Sequence, residues 1–243
     1  MGQGERARNR YLCTDRNTFA PTATFSAKGN YVLQATASDG ALTGTATVAV
    51  EARQAALLVT GPTGDPGDTL LSSRLTALSF DVTAMTGAAA TAASATGKSV
   101  VVISPTTVAA DVTTKFNTVT VPVVTMNEAL FDDNRLTTTA NLGSLTGQTT
   151  VSIAVPSHPL AAGLSGSAQV TTTLSSFAWG VPAGGGVKVA TLASDSTKAT
   201  VFYYEQGSAM TSGTAPKRRV GLFLRSDTVT SSMRKAPHYS TRR

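Results

Sequence analysis

The sequence predicts an α/β domain with a doubly wound, mainly parallel sheet, preceded by a β-hairpin. Three observations predict this class. From residue 55 onward, short apolar runs alternate with polar segments of helical length, as a parallel sheet buried on both faces requires. Residues 30–50 instead alternate apolar and polar positions around an Asp-Gly turn. The 243 residues are 41% hydrophobic and 14% charged, so the chain can bury a sizeable core.

The first element is the hairpin at 30–50, which is not stable alone and must pack on something. The stretch F-x-x-x-G-x-Y-x-L-x-x-T-A-S-D-G, from Phe25 to Gly40, resembles the last two strands of a PKD or cadherin-like immunoglobulin-type sandwich. We therefore interpret residues 17–52 as a partial domain of that kind, whose body lies upstream. Residues 1–16 are expected to be a disordered leader because they are strongly charged.

The α/β part begins with the apolar run AALLVTG. Leu70, Leu71, Leu75 and Leu78 then recur at helical spacing, and a weak Ala-rich segment occupies 88–96. The predicted strands of the first half are 55–61, 80–85, 99–104 and 121–126. Those of the second half are 149–155, 187–193, 200–206 and 218–224, with too little sequence between some of them for helices. The second half is therefore expected to be richer in antiparallel hairpins.

A series of motifs in this part resembles a known family. LLVTG, KSVVVIS, VPVVTMNEALFDD, HPLAAGLSG, FAWGVP, KVATLA, VFYYEQGSAM and APKRRVGLFL follow one another in order. This order resembles the ThuA-like and class I glutamine amidotransferase-like domains of secreted bacterial multidomain proteins. The resemblance covers residues 55–225 and implies a flavodoxin-like fold, a three-layer sandwich. It also implies an extracellular or cell-surface location, with the export signal outside this chain.

Covalent catalysis is not expected from the residues of the α/β part. A glutamine amidotransferase needs a cysteine at the turn after a buried strand, and the only cysteine is Cys13, in the leader. The segment 163–167 comes close to the G-x-S-x-G serine elbow but lacks its closing glycine. We therefore expect neither a covalent intermediate nor a cofactor.

The candidate site lies at the carboxyl ends of the parallel strands, where open α/β sheets bind ligands. Polar residues follow successive strands there, and one more lies in the loop after 149–155. The candidate ligand-binding residues are Thr60, Ser104, Asn127, Glu128 and His158.

Two hypotheses of different class remain open. The first is a non-catalytic module of an extracellular protein that is structural or adhesive, or that binds glycans, surfaces or other extracellular domains. The second is a hydrolase or carbohydrate-active enzyme of the ThuA-like group in which Glu128 and His158 form an acid/base pair. A buried cleft that brings these two side chains within hydrogen-bond reach would favour the enzyme.

Sugar binding usually involves aromatic platforms, for which Trp179 and Tyr203 or Tyr204 are the candidates. Asp132 and Asp133 form a carboxylate pair that could bind Ca²⁺ with backbone oxygens, or a solvated loop. Two scattered histidines and one cysteine do not suggest a transition-metal site, so no metal is expected.

The net charge of +6 comes from the two ends of the chain. Between residues 17 and 224, eleven basic residues balance eleven acidic ones, and only Lys217, Arg218 and Arg219 cluster. A nucleic-acid partner is therefore not expected, because a binding face needs clustered basic residues. No apolar run approaches the length of a membrane span.

Residues 226–243 are expected to form a disordered basic tail. After a turn at Asp227-Thr228, residues 231–243 contain Met233 and Tyr239 as their only large apolar residues, and Pro237 interrupts any helix there. The sequence therefore predicts that the final helix that covers one face of the sheet in the resembled family does not form here.

Overall fold

The computed structural model describes residues 11–13, 23–25, 28–62 and 64–232. The chain divides into two compact units. One comprises Met1–Gln54 and Ser79–Asp81, and the other comprises Ala55–Leu78 and Val82–Arg243. The main division falls at residue 55, where the periodicity of the sequence changes.

Four strands form two antiparallel pairs in the first unit. Strand β1 (Tyr11–Cys13) pairs with β2 (Ala23–Phe25), and β3 (Gly29–Ser38) pairs with β4 (Thr43–Ala52). The β3–β4 pair is the predicted hairpin. The expectation of a disordered leader is wrong for β1, and the rest of residues 1–16 lies outside the described residues.

The hairpin turn is built around Asp39. Its carboxylate Oδ1 accepts hydrogen bonds from the backbone nitrogens of Leu42 at 2.7 Å and Ala41 at 3.0 Å. These bonds hold the pKa of Asp39 below its ordinary value, because they favour the charged carboxylate. Gly40 has a φ of +93°, a conformation that glycine adopts without steric cost.

The faces of this hairpin are mostly exposed. Val32 is 69% exposed and Val48 is 56% exposed, and Tyr31 is the one buried residue in β3 and β4. The Tyr31 ring lies 4.4 Å from the ring of Phe25 in β2. Because β3 and β4 pair only with each other among the described strands, the immunoglobulin-like assignment stays a prediction.

One sheet of eleven strands lies in the second unit, apart from the first residues of two of its strands. In chain order these are β5 (Gln54–Thr60), β6 (Phe80–Thr86), β7 (Val100–Ile103), β8 (Val123–Thr125), β9 (Leu142–Gln148), β10 (Thr150–Ile153), β11 (Gly166–Gln169), β12 (Ser175–Gly180), β13 (Val187–Leu192), β14 (Asp195–Tyr204) and β15 (Arg219–Leu222). Its helices are α1 (Pro66–Ala77), α2 (Ala109–Val112) and α3 (Ser226–Ser232), with 3-10 helices at 92–95, 128–130 and 159–161.

The strand order identifies the fold. The sheet runs β6-β5-β7-β8-β15 and continues through β14, β13, β10 and β11, while β12 pairs with β14 and β9. The first five strands thus follow the order 2-1-3-4-5 of flavodoxin-like folds. Pairs β5–β7, β7–β8 and β8–β15 are parallel, and the pairs beyond β15 are antiparallel. The protein is an α/β protein with a flavodoxin-like fold and a mixed sheet.

Layers of side chains cover both faces of the parallel part. On one face Leu58 and Val102 pack with Leu71 of α1 and Val229 of α3. On the other face a separate cluster contains Leu57, Val59, Val101 and Ile103 together with Val112 of α2 and Phe116. Since successive residues of β5 and β7 point to opposite faces, these short apolar runs are buried on both sides.

The carboxyl end corrects one expectation. Residues 226–232 form α3, so the expected disorder from residue 226 is wrong for this segment. The absence of a helix is predicted for residues 231–243, of which the structure describes only 231 and 232. Thr228 and Val229 of α3 are fully buried, and the carboxylate of Asp227 accepts from the backbone nitrogen of Ser176 in β12 at 2.7 Å. Residues 233–243 lie outside the described residues.

Candidate functional site

The predicted site residues of the parallel strands lie where the sequence predicts them. Thr60 ends β5, Ser104 follows β7, and Asn127 follows β8 after one intervening residue. Asp68 of α1 and Thr106 of the β7–α2 loop join them. Sequence reasoning missed these two residues, because no local pattern shows which helix side chain will face the strand ends.

Asp68 is the centre of a closed hydrogen-bond network. Its carboxylate accepts from the hydroxyl of Ser104 in a short bond and from the hydroxyl of Thr106 at 2.8 and 2.9 Å. The Thr106 hydroxyl in turn accepts from the backbone nitrogen of Gly61 at 2.9 Å. Both Asp68 and Ser104 are buried. The network therefore ties β5, α1 and β7 together and satisfies the buried carboxylate.

The side chain of Asn127 is also hydrogen-bonded within the protein. Its Nδ2 donates to the carbonyl oxygen of Thr107 at 2.8 Å, and its Oδ1 accepts from the backbone nitrogen of Ala129 at 3.0 Å. The second bond caps the 3-10 helix at 128–130. Asn127 thus connects β8 to the loop after β7 and begins the next turn.

Glu128 forms an ion pair with Arg225, which follows β15. The side chain of Glu128 is 17% exposed and that of Arg225 is 34% exposed. Arg225 lies far from Glu128 in the sequence, and the parallel pairing of β8 with β15 brings the two residues together.

His158 lies in the connection after β10, where it caps the 3-10 helix at 159–161. Its Nδ1 accepts from the backbone nitrogen of Leu160 at 3.1 Å, and its ring stacks on Tyr203 of β14 with the ring centroids 4.3 Å apart. Strand β14 is two positions from β8 in the sheet, which is about 10 Å at the usual strand spacing. No hydrogen bond or ion pair joins Glu128 to His158 within the described part of the chain, so the acid/base pair is not assembled.

A cleft of about 420 Å³ opens beside this network, at the beginning of α1. Thr60, Asp65 and Asp68 are among its lining residues. Asp65 caps the helix, accepting from the backbone nitrogen of Gly67 at 2.6 Å. Two carboxylates thus occupy the positive end of the helix dipole, which disfavours an anionic ligand such as a phosphate.

The three candidate sugar platforms are engaged within the protein. Trp179 is half-buried, with Nζ of Lys198 4.7 Å from its ring centroid and Gly143 packed against the ring. Tyr204 is fully buried, and Tyr203 stacks on His158. Each of the three rings thus packs against other parts of the protein.

The basic cluster at 217–219 is divided among separate contacts. Lys217 donates to Gln206, Arg218 forms an ion pair with Glu205, and Arg219 is buried. The three side chains therefore do not form a face that neutralises phosphates.

The residues 11–13, 23–25, 28–62 and 64–232 were compared with the requirements of a membrane-spanning helix and of a metal site. No helix there has the length and hydropathy of a membrane crossing. No group of three or more His, Cys, Asp and Glu side chains there is arranged to hold a metal ion. The pair Asp132 and Asp133 instead lines a second cleft.

Comparison with known proteins gives a remote structural likeness. No protein-family model matches the chain, and no curated protein sequence matches it. Solved structures similar to it include a cytoplasmic protein of Salmonella typhimurium, at 12% identity and a TM-score of 0.45 over 87% of each chain. Another is a protein named as part of a GMP synthase, from Thermoplasma acidophilum, at 12% identity and a TM-score of 0.48 over 75% of this chain and 94% of that one. At this identity and TM-score, these structures indicate nothing about the activity of this chain.

Proposed function

We propose that the chain is part of a non-catalytic module of an extracellular bacterial multidomain protein, with a structural, adhesive or glycan- and surface-binding role. The observation that carries this proposal is the pairing of Glu128 with Arg225 while His158 stacks on Tyr203, two strands away. An acid and a base act together only when both reach the same reacting group. This arrangement therefore supports binding or scaffolding over hydrolysis.

The hydrogen bonds of the remaining polar groups support the same proposal. Ser104 is fully buried and its hydroxyl donates to the buried Asp68, so this hydroxyl is not presented to a substrate. The single cysteine, Cys13, belongs to the first unit and is absent from the α/β sheet. A thiol or serine nucleophile at the strand ends is thus not supported by the residues present.

The family and the location are also parts of this proposal. The motif series from LLVTG to APKRRVGLFL supports a ThuA-like and class I glutamine amidotransferase-like domain. The Asp39-Gly40 hairpin supports a PKD-like neighbour in the same chain. The charged fraction of 14% lies well below the average of about 25% for soluble domains, a bias that supports an extracellular or cell-surface location.

Labelling by active-site-directed reagents tests the absence of covalent catalysis. The full chain is treated with a broad-spectrum fluorophosphonate and with a glutamine-analogue diazoketone, and the Ser104→Ala variant serves as the matched control. We expect no specific label in the second unit. A label on a serine of the second unit would contradict the proposal, most clearly a label that Ser104→Ala removes.

A hydrolase assay tests the alternative enzyme. The full chain is incubated with chromogenic esters, amides and glycosides, and the Glu128→Gln and His158→Gln variants are compared with it. We expect no turnover by any of the three proteins. Turnover that both substitutions abolish would establish the hydrolase and overturn the non-catalytic role.

A further inference from the structure

A second cleft, of about 490 Å³, lies among three loops of the α/β unit. The loops precede β8, follow the 3-10 helix at 128–130, and connect β14 to β15. Its ten lining residues are five threonines, one serine, one asparagine, two aspartates and one arginine. Every lining side chain thus carries a hydrogen-bonding group. This composition differs from that of an ordinary small-molecule pocket, which is mainly apolar.

Hydrogen bonds and buried side chains fix the loop after the 3-10 helix at 128–130, which lines the cleft. The Tyr204 hydroxyl donates to the carbonyl oxygen of Leu136 at 2.6 Å. The carbonyl oxygen of Arg135 accepts from the backbone nitrogen of Thr211 at 3.2 Å and from its hydroxyl at 3.1 Å. Phe131 and Leu136 are fully buried in the cluster beneath. The loop that carries the charged side chains is therefore fixed to β14 and to the loop after it, as a preformed binding site requires.

Three groups that line the cleft lack partners among the described residues. The Asp133 carboxylate and the Arg135 guanidinium each make no hydrogen bond or ion pair there, although both line the same cleft. The hydroxyl of Thr137, a residue that is 1% exposed, is also without a hydrogen-bond partner. Asp133 and Arg135 are half-buried, so both charged groups are open to a ligand with donors and acceptors. The Thr137 hydroxyl is a buried polar group without the hydrogen bond that such groups normally make.

We infer that this cleft binds a neutral saccharide, with Asp133 accepting from sugar hydroxyls and Arg135 donating to sugar oxygens. The inference gives a place and a ligand class to the binding role proposed above, and so it rests on that proposal. Adjacent hydroxyls of a sugar both donate and accept, which matches a cleft lined by both a carboxylate and a guanidinium.

Other ligand classes fit the cleft less well. An apolar ligand finds no apolar side chain among the lining residues. An anion meets Asp132 and Asp133, and the pKa of Asp133 is raised by burial and by the charge of Asp132, so a further negative charge is disfavoured. A divalent cation would meet the Arg135 guanidinium, and Asp132 already accepts from the hydroxyl of Thr139 at 3.1 Å. Hydrogen bonds alone, without an aromatic platform, predict millimolar affinity.

The test measures binding of four neutral trisaccharides, maltotriose, cellotriose, mannotriose and chitotriose, to the full chain by saturation-transfer NMR and calorimetry. The test variants are Asp133→Asn and Arg135→Asn. Arg135 has a φ of +62°, which asparagine tolerates, so the second variant keeps the loop conformation. The control is Asp195→Asn, whose carboxylate bonds Thr197 and pairs with Lys198. Thermal melting confirms that each variant is folded.

We expect at least one trisaccharide to bind, each test variant to weaken binding by about tenfold or more, and the control to leave it unchanged. Equal binding by all variants would place the site elsewhere and overturn the inference, while the non-catalytic role would stand. No binding at about 10 mM, or binding of Ca²⁺ alone that Asp133→Asn removes, would also overturn it. Cleavage of a bound trisaccharide would instead overturn the proposed function.

Discussion

Arg219 donates a hydrogen bond from Nη2 to the carbonyl oxygen of Val119 at 2.7 Å, across 100 residues of sequence. Its Nη1 donates to the carbonyl oxygen of Val121 at 2.9 Å. Burial lowers the pKa of Arg219 to about 10, which leaves the guanidinium charged at neutral pH. A buried cation bonded to backbone carbonyls thus holds the loop before β8 against β15.

Replacing Arg219 should therefore destabilise the second unit. We expect Arg219→Met to lower the free energy of unfolding by about 3 kcal/mol, because several buried carbonyls lose their donor. Arg219→Lys should lower it by about 2 kcal/mol, since one ammonium cannot replace the planar fork. Urea unfolding followed by the fluorescence of Trp179, the only tryptophan, measures the effect. The control Arg218→Met, on the surface, should cost less than about 1 kcal/mol, and an equal cost for both positions would contradict the assignment.

Tyr204 predicts a dependence of stability on alkaline pH. Burial raises the pKa of Tyr204 to about 12 from its ordinary 10.0. Between these values the unfolded chain has lost the phenolic proton that the folded chain keeps, so stability falls as the pH rises from about 10 to about 12. Tyr204→Phe should be about 1–2 kcal/mol less stable than the wild type at pH 7, because the bond to Leu136 is lost. Urea titrations at several pH values should show this difference narrowing above pH 10, and a constant difference would be inconsistent with a buried phenol.

Gly221 in β15 has no room for a side chain. A Cβ at this position would overlap the ring of Phe202, which stands edge-on to Phe131 with the ring centroids 5.3 Å apart. Because the Phe202 ring also packs against Phe131, it cannot move away from a new methyl group. Gly221→Ala should therefore destabilise the second unit by about 3 kcal/mol. The matched control is Gly64→Ala, where a Cβ meets nothing within 4 Å. Chemical denaturation that gives similar midpoints for both variants would show that the sheet relaxes freely at β15.

Asp133 should oppose stability at neutral pH. Burial and the neighbouring charge of Asp132 raise the pKa of Asp133 above its ordinary 3.8, so the ionised form is disfavoured in the folded chain. As pH rises through this raised pKa, the folded chain loses a proton that it binds more tightly than the unfolded chain, and stability falls. Asp133→Asn should raise stability by up to about 1 kcal/mol at pH 7 and leave it unchanged near pH 3. A thermal melt at each pH measures this difference, and a loss of stability at pH 7 would contradict it.

The strands that the sequence predicts are those with continuous apolar runs. The predicted strands at 55–61, 99–104 and 121–126 correspond to β5, β7 and β8. Runs of Leu, Val and Ile of this kind are typical of a sheet that is covered on both faces. Strands β9, β11 and β12 were not predicted. Their Ser-, Thr- and Gly-rich sequences carry no apolar alternation, and pairing with neighbouring strands decides their conformation.

The candidate site was predictable only in its strand-end residues. Thr60, Ser104 and Asn127 follow apolar runs, so their place at the sheet edge follows from the strand pattern. Their partners Asp68 and Arg225 come from a helix face and from β15, and sequence spacing does not show which distant residue arrives beside them. For the same reason, the sequence does not show that Glu128 pairs with Arg225 and that His158 stacks on Tyr203 of an antiparallel strand.

The place of β15 between β8 and β14 has a consequence for how the chain folds as it is synthesised. The edge of β8 that β15 covers cannot close until β15 has been made, and Val121 and Arg219 are 98 residues apart in sequence. The β13–β14 hairpin is local and forms within microseconds, whereas closing β8 onto β15 depends on a long loop. At about 5–20 residues per second on the ribosome, the backbone groups of β8 stay unpaired on that side for several seconds. An open parallel edge during this interval is the point at which a nascent chain is most exposed to pairing with another strand.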